Sequence, residues 1–208
     1  MDGFRTVRAF AEASFTEKRS EFIGYITPAA DEEQAVSFIN EIRSRHRKAT
    51  HNVYAYILRN GNISRYSDDG EPQGTAGVPV LEVLRKEGLT DVCCVATRYF
   101  GGILLGGGGL VRAYSHTAKI AVDAADIMEM HPAYPVTVTA DYSLYGKITY
   151  IIPEYEAKLT DSIFTDSVTL KFLVKEHLCE KFVEKLTDLS NGACAVEIGK
   201  QDFYDFSA

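Results

Sequence analysis

Arginine and glycine dominate the segment TRYFGGILLGGGGLVRAYS, residues 97–115, which has six glycines within nine positions. Glycine gives up backbone entropy and side-chain packing, so such a run indicates an unusual backbone shape or close approach to another group. Arg98 ends a predicted strand and Arg112 lies on the helix that follows, and guanidinium groups suit phosphate and carboxylate. The helix start offers free N–H groups to an anion. The glycines that lead into it are Gly106, Gly107, Gly108 and Gly109. The segment predicts an anion site, with turns and packing alone as the alternative.

Three carboxylates follow one another closely in the polar loop SDDGEPQGTAG. Asp68, Asp69 and Glu71 could hold Mg²⁺ through a few oxygens and several waters. Asp-Gly and Glu-Pro are also favoured turn formers, and Thr75 is expected to cap the next helix. We favour a turn whose acids form salt bridges with Arg98 or Arg112, and we predict no metal and no cofactor.

The densest basic run is RSRHRKATH, residues 43–51. It lies at the predicted C-terminus of a helix, where positive charge complements the helix dipole. The same run would also suit contacts with a phosphate backbone. The candidate binding residues from it are Arg45, Arg47, Lys48 and His51, and Ser115 joins them from the polar face of the later helix.

No motif identifies a reaction. The chain has neither GxxxxGK[ST] nor a GxGxxG after a strand, and no serine lies in a nucleophile elbow. These absences favour a binding protein over an enzyme.

Hydrophobic periodicity predicts the elements that position these residues. In the first domain a β region including residues 20–27 precedes a helix with a buried stripe of Ala35, Phe38, Ile39 and Ile42. A strand over 52–59, a return through 63–66, a helix through VPVLEVLRKEG and the strand DVCCVATRY follow. A long helix is then predicted from about Leu110 to Met128.

A change in composition near HPAYP, residues 131–135, predicts a boundary between domains at 1–132 and 133–208. The first domain carries 15 basic and 17 acidic side chains and all 11 arginines, whereas the second carries 7 and 12. The second domain follows a βαββαβ order, which is typical of a ferredoxin-like sandwich. The whole chain is therefore predicted to be α+β.

The net charge of −7 argues against indiscriminate nucleic-acid binding. No apolar run reaches about 18 residues, so no membrane-spanning helix and no membrane partner are expected. The four cysteines lack CxxC spacing and are predicted to be buried free thiols in a reducing cytoplasm.

Four runs together resemble the IMPACT/YigZ family: KRSEFIGY, HRKATHNVYAY, SDDGEPQGTAGVPVLEVL and the glycine segment itself. The tail, with DYSLYGK at 141–147, resembles the second domain of bacterial two-domain members. The resemblance implies a first domain similar to the ribosomal protein S5 domain 2-like fold. It implies a second domain similar to the ferredoxin-like last domain of elongation factor G.

The resemblance implies a cytoplasmic, translation-associated regulatory protein that binds RNA, a ribosomal surface or translation proteins through its first domain. An enzyme acting on a small phosphorylated substrate and a protein-interaction module remain alternatives. The family's shared polar positions are expected to converge on one cleft beside the Gly106–Gly109 helix start. They fall on His51, Asp68, Asp69, Glu71, Thr75, Arg98, Arg112 and Ser115.

Overall fold

The computed structural model describes residues 3–207, which divide into two compact units. Within the described residues, the first unit comprises Phe4–Met128, and the second comprises Gly3 with residues 129–207. The division falls between Met128 and Glu129, inside a strand that continues through HPAYP.

The first unit begins with three strands and a helix: β1 Phe4–Val7, β2 Ala11–Glu17, β3 Ser20–Pro28 and α1 Glu32–Arg45. It continues with β4 His51–Leu58, β5 Ile63–Ser67, α2 Gly77–Lys86, β6 Val92–Tyr99 and α3 Gly107–Asp123. Five strands form a sheet in the order β2-β3-β6-β4-β5, and every neighbouring pair is antiparallel. The central strand β6 is buried on both faces, because helices cover both sides of the sheet.

Alternation along β6 divides its side chains between two cores. Cys93 and Val95 pack with the predicted stripe of α1, whereas Cys94 and Ala96 pack with α2 and α3. The adjacent cysteines therefore face opposite sides of the sheet, and both are free. Burial raises the pKa of Cys94 to about 12, which keeps that thiol protonated and inert.

Strand β7 Ile127–Ala140 begins in the first unit and continues in the second. It is followed by α4 Tyr142–Ile151, β8 Lys158–Phe164, β9 Val168–Lys175, α5 Glu176–Ser190, β10 Ala195–Ile198 and β11 Asp202–Asp205. Its strands have the order β10-β7-β9-β8, with β11 also pairing with β7, and all pairs are antiparallel. This is the strand order of a ferredoxin-like sandwich. The α+β prediction is confirmed.

Two predicted details differ from the structure. α3 ends at Asp123 instead of near Met128, because residues 127 and 128 already belong to β7. Thr75 does not cap α2, since its hydroxyl donates to the carbonyl of Pro72 at 2.6 Å. No helix within residues 3–207 is long and apolar enough to cross a membrane.

Candidate anion-binding site

The loops that carry the sequence motifs meet at one end of the five-stranded sheet. His51 starts β4 opposite Arg98 near the end of β6, and Glu21 near the start of β3 pairs with Tyr99. The 68–76 loop leaves the same end after β5, and the glycine segment leaves it after β6. Antiparallel pairing thus brings together motifs that lie far apart in the sequence.

A buried ion pair lies at the centre of this end. Arg98 Nη1 donates to Glu71 Oε1 at 2.6 Å, and the two side chains are only 6% and 4% exposed. The Tyr114 hydroxyl, from α3, donates to the same oxygen at 2.7 Å. Burial, followed by the charge of Glu71, raises the pKa of Tyr114, so its hydroxyl stays protonated as a donor. The predicted salt bridge between the loop acids and Arg98 is therefore present, through Glu71.

His51 stands beside this pair with a defined orientation. Its Nδ1 lies 2.8 Å from the carbonyl oxygen of Asp69, so Nδ1 carries the proton. Its Nε2 lies 3.7 Å from Glu71 Oε1. In the neutral ring Nε2 is left with a lone pair, and the protonated ring would form an ion pair with Glu71.

Asp68 and Asp69 do not contact Arg98 or Arg112, contrary to the prediction that they would orient those arginines. Asp68 accepts hydrogen bonds from the backbone N–H groups of Gly74, Ala76 and Gly77 at 2.9, 3.1 and 2.8 Å, which caps the start of α2. Asp69 accepts from Arg43 Nη2 at 2.8 Å and from the Asn52 N–H at 2.7 Å. Both acids hold the loop in place. Among residues 3–207 no group of three or more His, Cys, Asp or Glu is arranged to hold a metal ion.

A cavity of about 390 Å³ lies against Arg98 and the start of α3. Its polar lining includes Thr50, His51 and Glu71 in addition to Arg98. Its apolar lining consists of Pro72, Phe100, Leu104, Leu105 and Leu110, and Gly106 and Gly107 complete it.

Arg112 lines a different cavity, of about 270 Å³, with Lys18, Gly109 and His116. The two predicted arginines thus line separate cavities. Arg98 is buried near the end of β6, whereas Arg112 is exposed on α3. Ser115 and Gly108 line neither cavity. The single cleft that was expected to hold all the shared polar positions is not formed.

The basic run divides into paired and unpaired residues. Arg45 contacts Glu41 at 2.9 Å and lies over the rings of Phe10 and Tyr25. Arg47 and Lys48 are exposed and have no hydrogen-bond or ion-pair partner in the described part of the chain. Only these last two are free to contact a partner.

Sequence reasoning missed three contributors to the site. Helical spacing places Tyr114 in the core, but a buried tyrosine hydroxyl needs a partner and thus signals a polar contact. Phe100 and Leu104 lie in the glycine segment and are 44% and 82% exposed, which gives the larger cavity an apolar wall. Large apolar residues in a glycine-rich loop, outside any predicted helix or strand, are the signal that could have found Phe100 and Leu104.

Comparisons with known proteins agree with the motifs. Residues 18–122 match the Impact N-terminal domain, and residues 138–193 match a domain of unknown function, DUF1949. IMPACT family member YvyE of Bacillus subtilis (strain 168) is 36% identical, over 99% of this chain and 95% of its own. IMPACT family member YigZ of Escherichia coli (strain K12) is 32% identical, over 85% of this chain and 88% of its own.

A solved structure described as a crystal structure of an hypothetical protein shares the fold, with a TM-score of 0.61 and 29% identity. It covers 94% of this chain and 97% of its own. Both halves of the sequence and nearly its full length are thus matched, and the chain belongs to the IMPACT family.

Proposed function

We propose that this chain is a translation-associated regulatory protein that binds RNA or an anionic ribosomal surface through the loop-bearing end of its first unit. Membership of the IMPACT family supports the regulatory, translation-related part of this proposal. RNA and ribosomes would be encountered in the cytoplasm, which is the compartment we propose for this chain. Translation proteins are the second proposed class of partner. The anionic partner is argued from the charges of the first unit itself.

One observation carries the proposal: exposed basic side chains at this end of the sheet lack acidic partners. Five of them have no hydrogen bond or ion pair with another residue of 3–207: Lys18, Arg19, Arg47, Lys48 and Arg112. Two exposed acids, Glu17 and Glu21, lie at the same end and are likewise unpaired. The local excess of positive charge contrasts with the net charge of −7 for the chain.

A polyanion suits this arrangement because unpaired lysine and arginine release counterions when they neutralise phosphates. The five basic side chains lie on the tight β2–β3 turn, the α1–β4 connection and α3, so the surface is broader than a site for one small anion. Arg98 contributes no direct contact to that surface, since its charge is already paired with Glu71.

The test is the salt dependence of RNA binding by the double variant Arg47→Gln/Lys48→Gln, measured by fluorescence anisotropy with a labelled single-stranded RNA. We expect affinity at least tenfold weaker than wild type. We also expect the slope of log affinity against log salt to fall by about 1.4, since each contact with a single strand contributes about 0.7.

The matched control is Lys181→Gln/Lys185→Gln, which removes two exposed, unpaired lysines from α5 in the second unit. This variant should bind RNA as the wild type does. Equal weakening in both double variants, or no weakening in either, would show that the loop-bearing end is not the RNA surface.

A second candidate, an enzyme acting on a small phosphorylated substrate, is favoured by the orientation of His51. A ring fixed through Nδ1 presents Nε2 as a base beside the cavity. Turnover that disappears in His51→Gln while substrate binding persists would favour this candidate over the regulator.

A further inference from the structure

At four of the six glycines of residues 97–115, packing or backbone conformation within the chain explains why the residue is glycine. A Cβ on Gly101 would lie 2.0 Å from the backbone of Arg19, and one on Gly109 would lie 3.0 Å from Leu105 Cβ. Gly102 and Gly106 have φ angles of 83° and 73°, in the left-handed region that favours glycine. Packing and turn geometry explain these four.

Gly107 and Gly108 have no such reason. Both have helical backbones, and a Cβ would meet nothing closer than Thr75 Cγ2 at 4.0 Å or Arg112 Nη1 at 3.8 Å. Alanine is the better helix former and would fit both positions. A group from outside the chain that approaches the backbone closely would account for glycine at both positions.

The start of α3 is ready to receive an anion. The first backbone hydrogen bond of this helix runs from the Leu110 N–H to the Gly106 carbonyl at 2.9 Å. The N–H groups of Gly107, Gly108 and Gly109 have no acceptor among the described residues, and no side chain caps this end. α3 has 17 residues, and its dipole favours binding of an anion at this N-terminus.

Arg98 provides a second observation that does not depend on the helix start. Its side chain is 6% exposed and lines the 390 Å³ cavity together with Gly106 and Gly107. Its Nε is the one buried side-chain nitrogen or oxygen of residues 3–207 with no hydrogen-bond partner. Buried polar groups normally have a partner, and the bonds of Arg98 to Glu71 and Ser20 leave its Nε without one.

The opposite wall of the same cavity is apolar. Phe100 and Leu104 are exposed large side chains, and Leu105, Leu110 and Pro72 continue the surface. In proteins that bind single-stranded nucleic acid, aromatic rings beside the phosphate groove stack on bases of any identity, and Phe100 offers an exposed ring of this kind. The volume is in the range of sites for small molecules, roughly 300–1,000 Å³.

We propose that a nucleotide binds here, with its base in this cavity against Phe100 and Leu104 and its phosphate at the adjoining start of α3, on the N–H groups of Gly107–Gly109. Three adjacent N–H donors match the three free oxygens of a phosphate monoester, as in a mononucleotide or at a phosphorylated strand end, better than the two of a carboxylate. The nucleotide belongs either to an RNA strand, in which case the inference rests on the proposed function, or to a free mononucleotide.

The test uses the full chain labelled with ¹⁵N-glycine, so that backbone N–H signals of the glycines report binding directly. Adenosine monophosphate, adenosine, inorganic phosphate and a short single-stranded oligoadenylate are titrated separately. We expect saturable shifts of the Gly107 and Gly108 signals with the monophosphate, at least tenfold weaker binding of adenosine or phosphate alone, and no shift of Gly146.

Gly107→Ala and Gly108→Ala should weaken nucleotide binding at least tenfold without lowering the thermal midpoint. Gly146→Ala is the matched control, because Gly146 also lies within a helix and its Cβ would meet nothing within 4 Å. It should leave binding unchanged. Phe100→Ala should weaken binding of the monophosphate by about tenfold, as expected for loss of one stacked base.

The outcomes separate this inference from the proposed function. Shifts with the free nucleotide but no RNA binding would support the cavity and overturn the RNA surface. Salt-dependent RNA binding that leaves the Gly107 and Gly108 signals unshifted would support the RNA surface and overturn the nucleotide site. Equal binding of adenosine and its monophosphate, or tighter binding of a peptide with a free C-terminal carboxylate, would overturn the nucleotide site.

Discussion

Arg98 brings a full positive charge to a position that is 6% exposed, where its loss of hydration has to be offset by Glu71. Glu71→Gln keeps the size of the side chain and an acceptor for Tyr114 but removes the opposite charge. We expect the free energy of unfolding to fall by about 3 kcal/mol, because an unpaired buried charge remains. Urea denaturation measures this loss.

The control is Glu82→Gln, which breaks an ion pair with Arg85 that is about half exposed on both sides. Screening by water makes such pairs worth less than about 1 kcal/mol. If both variants lose the same small amount, the Glu71–Arg98 pair does not stabilise this end of the sheet.

His46 gives the first unit a pH dependence. Its ring lies between the hydroxyls of Tyr25 and Tyr99, at 2.6 and 2.9 Å. Burial, followed by the charge of Arg45, lowers the pKa of His46 in the folded protein. The unfolded chain then binds a proton more readily, so the free energy of unfolding should decrease as pH falls below about 6.5.

His46→Gln should reduce this decrease, measured by urea denaturation at pH 7.5, 6.5 and 5.5. His177→Gln, at an exposed position of α5, is the matched control and should retain the wild-type profile. A pH profile that is identical in all three proteins would contradict the assignment to His46.

Period-two spacing along VCCVATRYF places Arg98 on the same face as Cys94 and Ala96, and α2 and α3 cover that face. The partner atoms were less accessible to sequence reasoning. Glu71 was one of three neighbouring acids, and nothing in their spacing distinguishes the one that binds Arg98 from those that bind Arg43 and cap α2. Such choices depend on loop geometry.

At the level of elements, Asp68 shows how far a helix cap can come from the helix. Its carboxylate accepts three backbone N–H groups across the 68–76 loop, including those of Ala76 and Gly77 at the start of α2. Asp68→Ala should therefore lower the free energy of unfolding by about 2 kcal/mol, the upper part of the range for caps.

Thr75→Ala tests the capping residue that the sequence suggested. It removes one hydroxyl hydrogen bond to a carbonyl and should cost about 1 kcal/mol or less. Denaturation in urea compares the two variants. A larger loss for Thr75→Ala than for Asp68→Ala would reverse the assignment of the cap.

Helices and strands with one apolar face were predicted well from periodicity, and the buried stripe of α1 is the clearest case. Ends of elements were predicted less well. α3 and β7 are separated by only three residues, so apolar periodicity continues across the change from helix to strand. The change in composition near HPAYP gave no sign that this segment lies within the strand β7.

At the scale of the molecule, the site depends on sheet topology that periodicity does not contain. Nothing in the sequence states that β6 lies between β3 and β4, and this order is what brings His51 and Glu21 beside the end of β6. The family resemblance supplied the expectation that the motifs converge. Topology then placed Arg98 and Arg112 in separate cavities.

The two units have separate cores, which predicts that they respond separately to core substitutions. Leu84 and Leu186 are both fully buried, the first among residues of the first unit and the second among residues of the second. Replacing either by alanine should cost about 3 kcal/mol and lower the urea midpoint of its own unit by about 1–2 M.

The ¹⁵N-glycine signals follow both units in one experiment, since Gly24 and Gly77 report the first and Gly146 and Gly192 the second. In Leu186→Ala the second pair should reach its unfolded positions at lower urea while the first pair keeps its midpoint. Leu84→Ala should produce the opposite pattern. If all four signals moved together in both variants, the units would unfold as one, and substitutions in the second unit would then disturb the loop-bearing end of the first.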